Sequence, residues 1–238
     1  MDRRKYVVIV AGGSGSRMGA AKPKQFLELG GKAILRRTIE VFLEACPDVT
    51  VIVVLPEEHM SYWKDYCYKH NFICPQILVK GGFTRFHSVR NALEKIPAGA
   101  LVAIHDGVRP LLTTNLVRTM FAAAETSPAV IPVIPCVDTM KLLQKRVWED
   151  GSHTYIAVAG QTVDRSLLYG AQTPQVFHSE LLKSAYEQAF DTAFTDDASV
   201  VERYGKSLSY IDGERLNIKI TTQEDFVLAE AILALKKV

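Results

Sequence analysis

The sequence predicts an α/β fold: a mostly parallel sheet flanked by helices, with one β-hairpin arm projecting from it. Three observations lead there. Short apolar, β-branched runs recur at Tyr6–Val10, Val49–Leu55, Gln76–Val79, Leu101–Ile104 and Ala129–Ile134. Such near-continuous hydrophobicity is what strands covered on both faces require. Segments with apolar residues at helical spacing alternate with these runs, which implies right-handed crossovers joining parallel strands. Beyond Ile134 the alternation stops, and residues 136–160 show no helical period.

At 238 residues the chain is long enough to bury a real core as a single domain, 1–238. Its 48% apolar and 23% charged residues are ordinary for a soluble globular protein. A net charge of +2 gives no basis for a nucleic-acid or membrane partner, and no apolar run approaches membrane-spanning length. Cys46, Cys67, Cys74 and Cys136 form no CxxC pair and no metal-ligand spacing. They read as reduced, mostly buried thiols in a cytoplasmic protein. The basic residues Arg3-Arg4-Lys5 precede an apolar run too short for a secretory signal.

The first strand, Tyr6–Val10, ends in Ala11-Gly12-Gly13-Ser14-Gly15, with Arg17, Lys22 and Lys24 close behind. Glycine lets the backbone approach a ligand with no Cβ between, and successive N–H groups in such a turn form an anion-binding nest. A backbone cradle with fixed cations suits a triphosphate better than it suits a plain turn beside a solvated basic patch. Two commoner glycine motifs fail on spacing. A dinucleotide fingerprint needs glycine where Met18 stands. A P-loop counted from Gly12, Gly13 or Gly15 needs its second glycine at Arg17, Met18 or Ala20.

Gly30-Gly31 turns the chain into a helix over Ala33–Cys46, where Ile34, Leu35, Ile39, Phe42 and Leu43 fall near helical spacing. Pro56 ends the second strand, and Glu57–His70 reads as a helix. Gly81-Gly82 follows the third strand, and Thr84 is placed to cap a helix running to Lys95. The fourth strand runs into His105-Asp106-Gly107-Val108-Arg109-Pro110, at the carboxyl end where α/β sheets bind ligands. His105 reads as a packed, hydrogen-bonded histidine. Asp106 has three readings: a Mg²⁺ ligand beside phosphate oxygens, a partner for a substrate hydroxyl, or an ion-pair partner for Arg109. A helix over Thr113–Ser127 leads to the fifth strand.

Within the arm, strands Asp138–Leu143 and Tyr155–Ala159 are expected around the polar turn Glu149-Asp150-Gly151-Ser152. A long hairpin cannot bury its apolar face alone, so a partner subunit is its natural cover. Gln172-Thr173-Pro174-Gln175 reads as an extended turn, and Ser179–Phe190 as an amphipathic helix. Thr195-Asp196-Asp197-Ala198-Ser199 reads as a helix start. A strand at Leu208–Ile211 and a last helix ending at Lys237 close the pattern, with Lys219 off the apolar face of Ile218 and Ile220.

Gly12-Gly13-Ser14-Gly15-Ser16-Arg17-Met18 with Pro23-Lys24 resembles the nucleotidyltransferase signature Gly-Gly-x-Gly-x-Arg-Met/Leu…Pro-Lys. From Val10 to about Asp225 the chain resembles the 2-C-methyl-D-erythritol 4-phosphate cytidylyltransferase family. The order of motifs makes the resemblance: the glycine loop, Asp106 with Arg109, Asp138-Thr139-Met140-Lys141, Thr162-Val163-Asp164-Arg165, Thr173-Pro174-Gln175, Thr195–Ser199 and Asn217-Ile218-Lys219. The resemblance implies a Rossmann-like sheet and an arm that interlocks with its twin in a homodimer. It implies cytidylyl transfer from CTP to a polyol phosphate, with Mg²⁺ bridging the triphosphate.

By the same resemblance Arg17, Lys24, Arg165 and Lys219 are catalytic. Ala11, Gly12, Gly13, Ser14, Gly15, Gly82, Arg85 and Ser88 contact CTP. Asp106, Arg109, Thr139, Lys141, Arg165, Thr195 and Lys219 hold the polyol phosphate. For Lys141 a hairpin salt bridge with Asp138 is the plainer reading. Phe83 departs from the family, which often has a polar residue there, and Gly107 departs mildly. A pentitol phosphate enzyme, such as a ribitol 5-phosphate cytidylyltransferase, shares loop and fold. A nucleotide-binding dehydrogenase is opposed by the missing third glycine, and a non-catalytic nucleotide-binding module by the intact Arg17 and Lys24.

Overall fold

The computed structural model describes residues 3–13, 23–158 and 163–235. β1 (Lys5–Val10) is followed by a small hairpin, β2 (Glu28–Leu29) and β3 (Lys32–Ala33). Then come α1 (Ile34–Ala45), β4 (Thr50–Leu55), α2 (Glu57–Lys69), β5 (Gln76–Lys80), α3 (Arg85–Leu93), β6 (Leu101–Asp106), α4 (Thr114–Ala124) and β7 (Ala129–Pro135). The arm is β8 (Leu143–Val147) and β9 (His153–Ala157). β10 (Tyr169–Ala171), β11 (Gln175–His178), α5 (Ser179–Ala185), α6 (Asp197–Arg203), β12 (Ser209–Asp212) and α7 (Gln223–Leu235) follow it.

The main sheet has the order β10-β7-β11-β6-β1-β4-β5, with β12 also paired to β7. The run β6-β1-β4-β5 is parallel, as is β12 on β7, so the sheet is mostly parallel as expected. Its central strands β1 and β4 are almost wholly apolar because helices cover both faces. Val7 and Ile9 pack with Phe42, Trp63 and Met120 on one side. Val8 packs with Phe86, Ile104 and Tyr186 on the other. Val7, Val8 and Ile9 are all fully buried, and each such side chain contributes about 1.5–3 kcal/mol of burial.

The register brings the carboxyl ends of the parallel strands to one edge. Val10 lies beside both Asp106 and Val54, and Leu55 beside Lys80. The segments that leave this edge, Ala11–Gly13, Gly81–Thr84 and Asp106–Arg109, therefore converge. A third apolar cluster joins Ala229 and Ile232 of α7 to Leu29, Ile34, Val108, Leu111 and Ile220. It fastens the 217–222 segment beside the end of β6.

Three expectations change. The arm strands are Leu143–Val147 and His153–Ala157, not Asp138–Leu143 and Tyr155–Ala159, and they pair from Val147↔His153 to Leu143↔Ala157. The turn sets this: the Trp148 N–H donates to the Ser152 carbonyl and the Gly151 N–H to the Trp148 carbonyl, so pairing begins right beside the turn. Second, Gln175–His178 is a strand, inserted antiparallel between β6 and β7, and β10 is a second antiparallel partner of β7. Third, α5 ends at Ala185 rather than Phe190. There the Gln188 amide donates to the carbonyls of Ala185 and Val200 and turns the chain toward α6. The arm stands off as its own two-stranded sheet, with Val147, Trp148 and Tyr155 more than half exposed.

Candidate functional site

The converging strand ends enclose a cleft of two adjoining cavities. One, about 310 Å³, is lined by Val10–Gly13, Lys24, Gln25, Gly82–Arg85, Ser88, Asp106, Val108 and Lys219. The other, about 590 Å³, shares Gly12, Gly82, Phe83 and Ser88 and extends past Glu57, Lys80 and Asn91. Together they have the scale of a ligand pocket at the carboxyl edge of an α/β sheet.

The glycine turn is fixed at its root, where the Ala11 N–H donates to the Val54 carbonyl at 2.9 Å. Gln25 then donates to the Ala11 carbonyl at 2.9 Å, a tie the motif reading did not include. Lys24 opens a short 3-10 turn, Lys24–Phe26, and is largely buried. A Cβ on Gly13 would lie 3.9 Å from Lys24 Cε, so the ammonium stem runs beside the turn. Ser14, Gly15 and Arg17 fall outside the described residues.

Across the cleft, Thr84 caps α3 by accepting the His87 N–H. Ser88 ties the preceding loop down, accepting from the Gly82 N–H at 3.1 Å and donating to the Thr84 carbonyl at 2.9 Å. Glycine is required here: a Cβ on Gly82 would sit 2.4 Å from His87 Cβ and 3.0 Å from its carbonyl carbon. Phe83 is fully exposed at the junction of the two cavities.

Asp106 is the electrostatic centre. Lys219 Nζ lies 3.0 Å and Arg109 Nε 3.4 Å from its Oδ2, and Arg85 Nε 3.7 Å from its Oδ1. Burial, the largest single influence, pushes its carboxyl up, but the charges of Arg85, Lys219 and Arg109 together hold it well below the usual carboxylate range. Arg109 also donates to the Asn217 carbonyl at 2.8 Å. Buried Asn217 in turn donates to the Thr173 carbonyl at 2.8 Å, which sets the segment bearing Lys219.

Fully buried His105 lies 3.2 Å from the Arg109 carbonyl through Nε2 and 3.0 Å from Thr173 Oγ1 through Nδ1. A carbonyl only accepts, so Nε2 carries the proton and Nδ1 takes one from Thr173. Thr173 in turn accepts the Asp106 N–H at 3.2 Å. Burial lowers the imidazole to about 4, so His105 is a neutral structural link, as its sequence setting suggested.

The structure thus gathers Ala11, Gly12, Gly13, Lys24, Gly82, Arg85, Ser88, Asp106 and Lys219 around one cleft, with Arg109 bound to Asp106. Four expected substrate contacts lie elsewhere on the chain. Thr139, Lys141 and Arg165 are exposed, on or just past the arm, and Arg165 donates to the Val137 carbonyl at 3.0 Å. Thr195 lines a separate cavity of about 560 Å³ with Tyr169, Glu202 and Tyr210. Arg85, expected to contact CTP, is engaged by two carboxylates, Asp106 and Asp197. Asp197 is a site-supporting residue the sequence reading passed over, because Asp196 beside it supplied the expected helix cap.

The residues do not fit a resident Mg²⁺ ion. Among the described residues no three His, Cys, Asp or Glu side chains gather as metal ligands. Asp106, the carboxylate offered to Mg²⁺ by the sequence, already faces three cations, whose charges would repel a divalent ion. Among the described residues no helix is long and apolar enough to cross a membrane, and the four cysteines are free thiols.

Comparison with known proteins gives a consistent result. The sequence profile described as 2-C-methyl-D-erythritol 4-phosphate cytidylyltransferase (IspD) matches residues 6–235. A protein of that name from Phocaeicola vulgatus is 45% identical over 229 residues, covering 96% of this chain and 99% of the relative. One from Porphyromonas gingivalis is 43% identical over 236 residues, covering 98% and 99%. The crystal structure of the 4-diphosphocytidyl-2C-methyl-D-erythritol synthase from Anaerococcus prevotii superposes with a TM-score of 0.77 at 29% identity, covering 98% of this chain and 99% of that one. A Thermus thermophilus structure of the cytidylyltransferase gives 0.70 at 29% identity over the whole of both chains.

Proposed function

The chain belongs to the 2-C-methyl-D-erythritol 4-phosphate cytidylyltransferase family, and from that premise we propose how its residues divide the work. The reaction is transfer of the cytidylyl group of CTP to 2-C-methyl-D-erythritol 4-phosphate in isoprenoid precursor biosynthesis. A phosphate oxygen of the polyol phosphate attacks the α-phosphorus of CTP in line. The bond to the β-phosphate oxygen breaks, and pyrophosphate leaves with that electron pair. The nucleophile is already largely ionised near neutral pH, so no general base is needed, and catalysis is mostly positioning and charge stabilisation.

The single observation that supports the division is the cleft itself: a glycine turn with Lys24 on one wall and Asp106 with Lys219 on another. The backbone of Ala11–Gly13 cradles the triphosphate. Lys24, with Arg17, stabilises charge on the α-phosphate and the leaving pyrophosphate. The Gly82–Ser88 loop frames the cytidine, its N–H and hydroxyl groups held in place by the α3 cap. Asp106 accepts from polyol hydroxyls, and Arg109 and Lys219 keep it ionised while Lys219 also faces the attacking phosphate. Mg²⁺ enters as the triphosphate's own counter-ion rather than as an ion the protein holds; when bound it neutralises phosphate charge.

The protein works as a homodimer through the 136–160 arm. Exposed Arg165, pinned at the base of the arm, joins Thr139 and Lys141 in completing the phosphate pocket of the partner subunit. This reading supports one domain, 1–238, acting in the cytoplasm. The test is pyrophosphate release from CTP with 2-C-methyl-D-erythritol 4-phosphate against ribitol 5-phosphate. The assignment requires the first to be turned over with the higher kcat/KM, and a preference for ribitol 5-phosphate would reverse it.

A further inference from the structure

The cleft is backed by a chain of polar groups that reaches far behind it. Asp197 opens α6 and has no accessible surface. Its Oδ2 accepts from Arg85 Nη2 at 2.6 Å and its Oδ1 from the Tyr186 hydroxyl at 2.5 Å. Arg85 then reaches Asp106 Oδ1 with its Nε at 3.7 Å. The order is therefore Tyr186, Asp197, Arg85, Asp106.

Helix capping does not explain Asp197. That duty falls to Asp196, whose carboxylate accepts the Ser199 N–H while the Ser199 hydroxyl accepts the Asp196 N–H. Asp197 is instead a fully buried ionisable side chain on a helix whose Ala198, Val200 and Val201 join the apolar cluster that holds Phe86 and Tyr186, and an apolar residue packs in such a setting at less cost. Both carboxylate oxygens are engaged, one by a charge and one by a hydroxyl that stays protonated, since burial and then Asp197 raise the Tyr186 phenol well above its ordinary value. A guanidinium held at one end in this way has a fixed direction at the other. Asp106 Oδ1 meets it there, leaving Oδ2 to Lys219 and Arg109.

We propose that Asp197, acting through Arg85, is a positioning residue that sets the orientation of Asp106 and thereby the recognition of the polyol phosphate. Arg85 on this view belongs to the acceptor side of the site, not to CTP. The inference rests on the assignment of Asp106 to polyol hydroxyls.

Steady-state kinetics on the full-length enzyme, varying each substrate in turn, test it with Asp106→Asn, Asp197→Asn and Arg85→Lys. Asp197→Asn keeps the shape and removes the charge. Loss of one charge-assisted hydrogen bond should raise KM for 2-C-methyl-D-erythritol 4-phosphate about tenfold and leave KM for CTP within about twofold. In an Asp106→Asn background, Asp197→Asn should add nothing to the polyol KM, because the relay then has nothing to orient. If Asp197→Asn does not fold, Arg85→Lys, which keeps Asp197 paired, must show the same split. A rise in KM for CTP instead would place Arg85 at the nucleotide and overturn the proposal. So would a lowered Tm with both KM values unchanged, the mark of a purely structural role. If Asp106→Asn itself spares the polyol KM, the Asp106 assignment fails and takes the proposal with it. If Asp106→Asn raises the polyol KM and Asp197→Asn does not, the relay alone is wrong.

Discussion

His105 should make this protein lose stability in a pH range where its carboxylates contribute little. The perturbation is a fall from pH 7.5 to 5.0. The imidazole takes up its proton near 6.5 when unfolded but only near 4 when folded, because burial opposes the charge. Between those values the unfolded state binds more protons, so stability present above pH 6.5 is lost as the pH falls toward 4. For one site the two binding curves give a loss of about 2 kcal/mol between pH 7.5 and 5.0. Asp106, Glu40, Glu180 and Asp225, whose carboxyls lie below their ordinary values in the folded protein, add together only a few tenths of a kcal/mol down to pH 5.0, because most of their contribution is lost at lower pH. Urea unfolding at fixed protein concentration should therefore show the midpoint dropping by about 0.7–1 M for a slope of about 2–3 kcal/mol/M. His105→Asn should be less stable at pH 7.5, having lost bonds to Arg109 and Thr173, yet nearly flat across the same interval. A wild-type midpoint that does not move, or a variant that falls as steeply as the wild type, would refute the argument.

Four further outcomes are expected. Lys24→Ala and Arg17→Ala should each lower kcat by about 10²–10³, as for a lost preorganised donor at developing charge, with far smaller changes in Tm; near-normal turnover in both would remove them from catalysis. Gly82→Ala forces a Cβ to within 2.4 Å of His87 Cβ, so it should cost about 1–3 kcal/mol of stability and raise KM for CTP, measurable by thermal melts and initial rates. CTP should be preferred over UTP and ATP, since a pocket of fixed donors and acceptors rejects a base that leaves them unpaired; equal turnover of UTP would contradict the cytidine assignment. Mixing inactive Lys24→Ala with inactive Arg165→Ala subunits should restore part of the activity, because a mixed dimer has one site with both defects and one with neither; subunits that exchange without regaining activity would rule out a shared site.

The parallel half of the fold was legible because its cause is local. Val7–Ile9, Val51–Leu55 and Leu101–Ile104 are buried on both faces, and that burial demands an unbroken apolar run that anyone reading the sequence can see. The antiparallel half was not. β11 is four residues long, follows a proline turn directly and runs straight into α5, so it offers neither length nor alternation. What makes Gln175–His178 a strand is the pair of neighbours it slots between, β6 and β7, which lie some 70 and 45 positions earlier in the chain. The arm shows the same limit at smaller scale: the polar turn was readable, but the pairing that starts at Val147 and His153 depends on turn hydrogen bonds.

The site divides along the same line. Gly12, Gly13 and Asp106 were readable because each sits at or just past a strand end whose position the apolar runs already give, and Lys24 because it belongs to the motif that follows the glycine turn. Asp106 left three readings open; the structure shows the ion pair with Arg109 and adds charges from far away that no local reading supplies: Arg85 from α3 and Lys219 from beyond β12. With those two and Arg109 around it, a carboxylate is kept ionised and occupied, which suits an acceptor of hydroxyl hydrogen bonds and opposes a metal ligand. Asp197 makes the point sharply. Next to Asp196 in sequence, it reads as half of a helix start. Backbone geometry decides which of the two caps, and Asp196, extended at φ −151° and ψ −175°, takes that role. One residue on, the chain is helical and the neighbouring carboxylate is turned to Arg85, 112 positions away. No periodicity encodes a bond of that span; only the packing of α3 and α6 into the same apolar layer on one face of the sheet creates it, and with it a link from the core to the cleft.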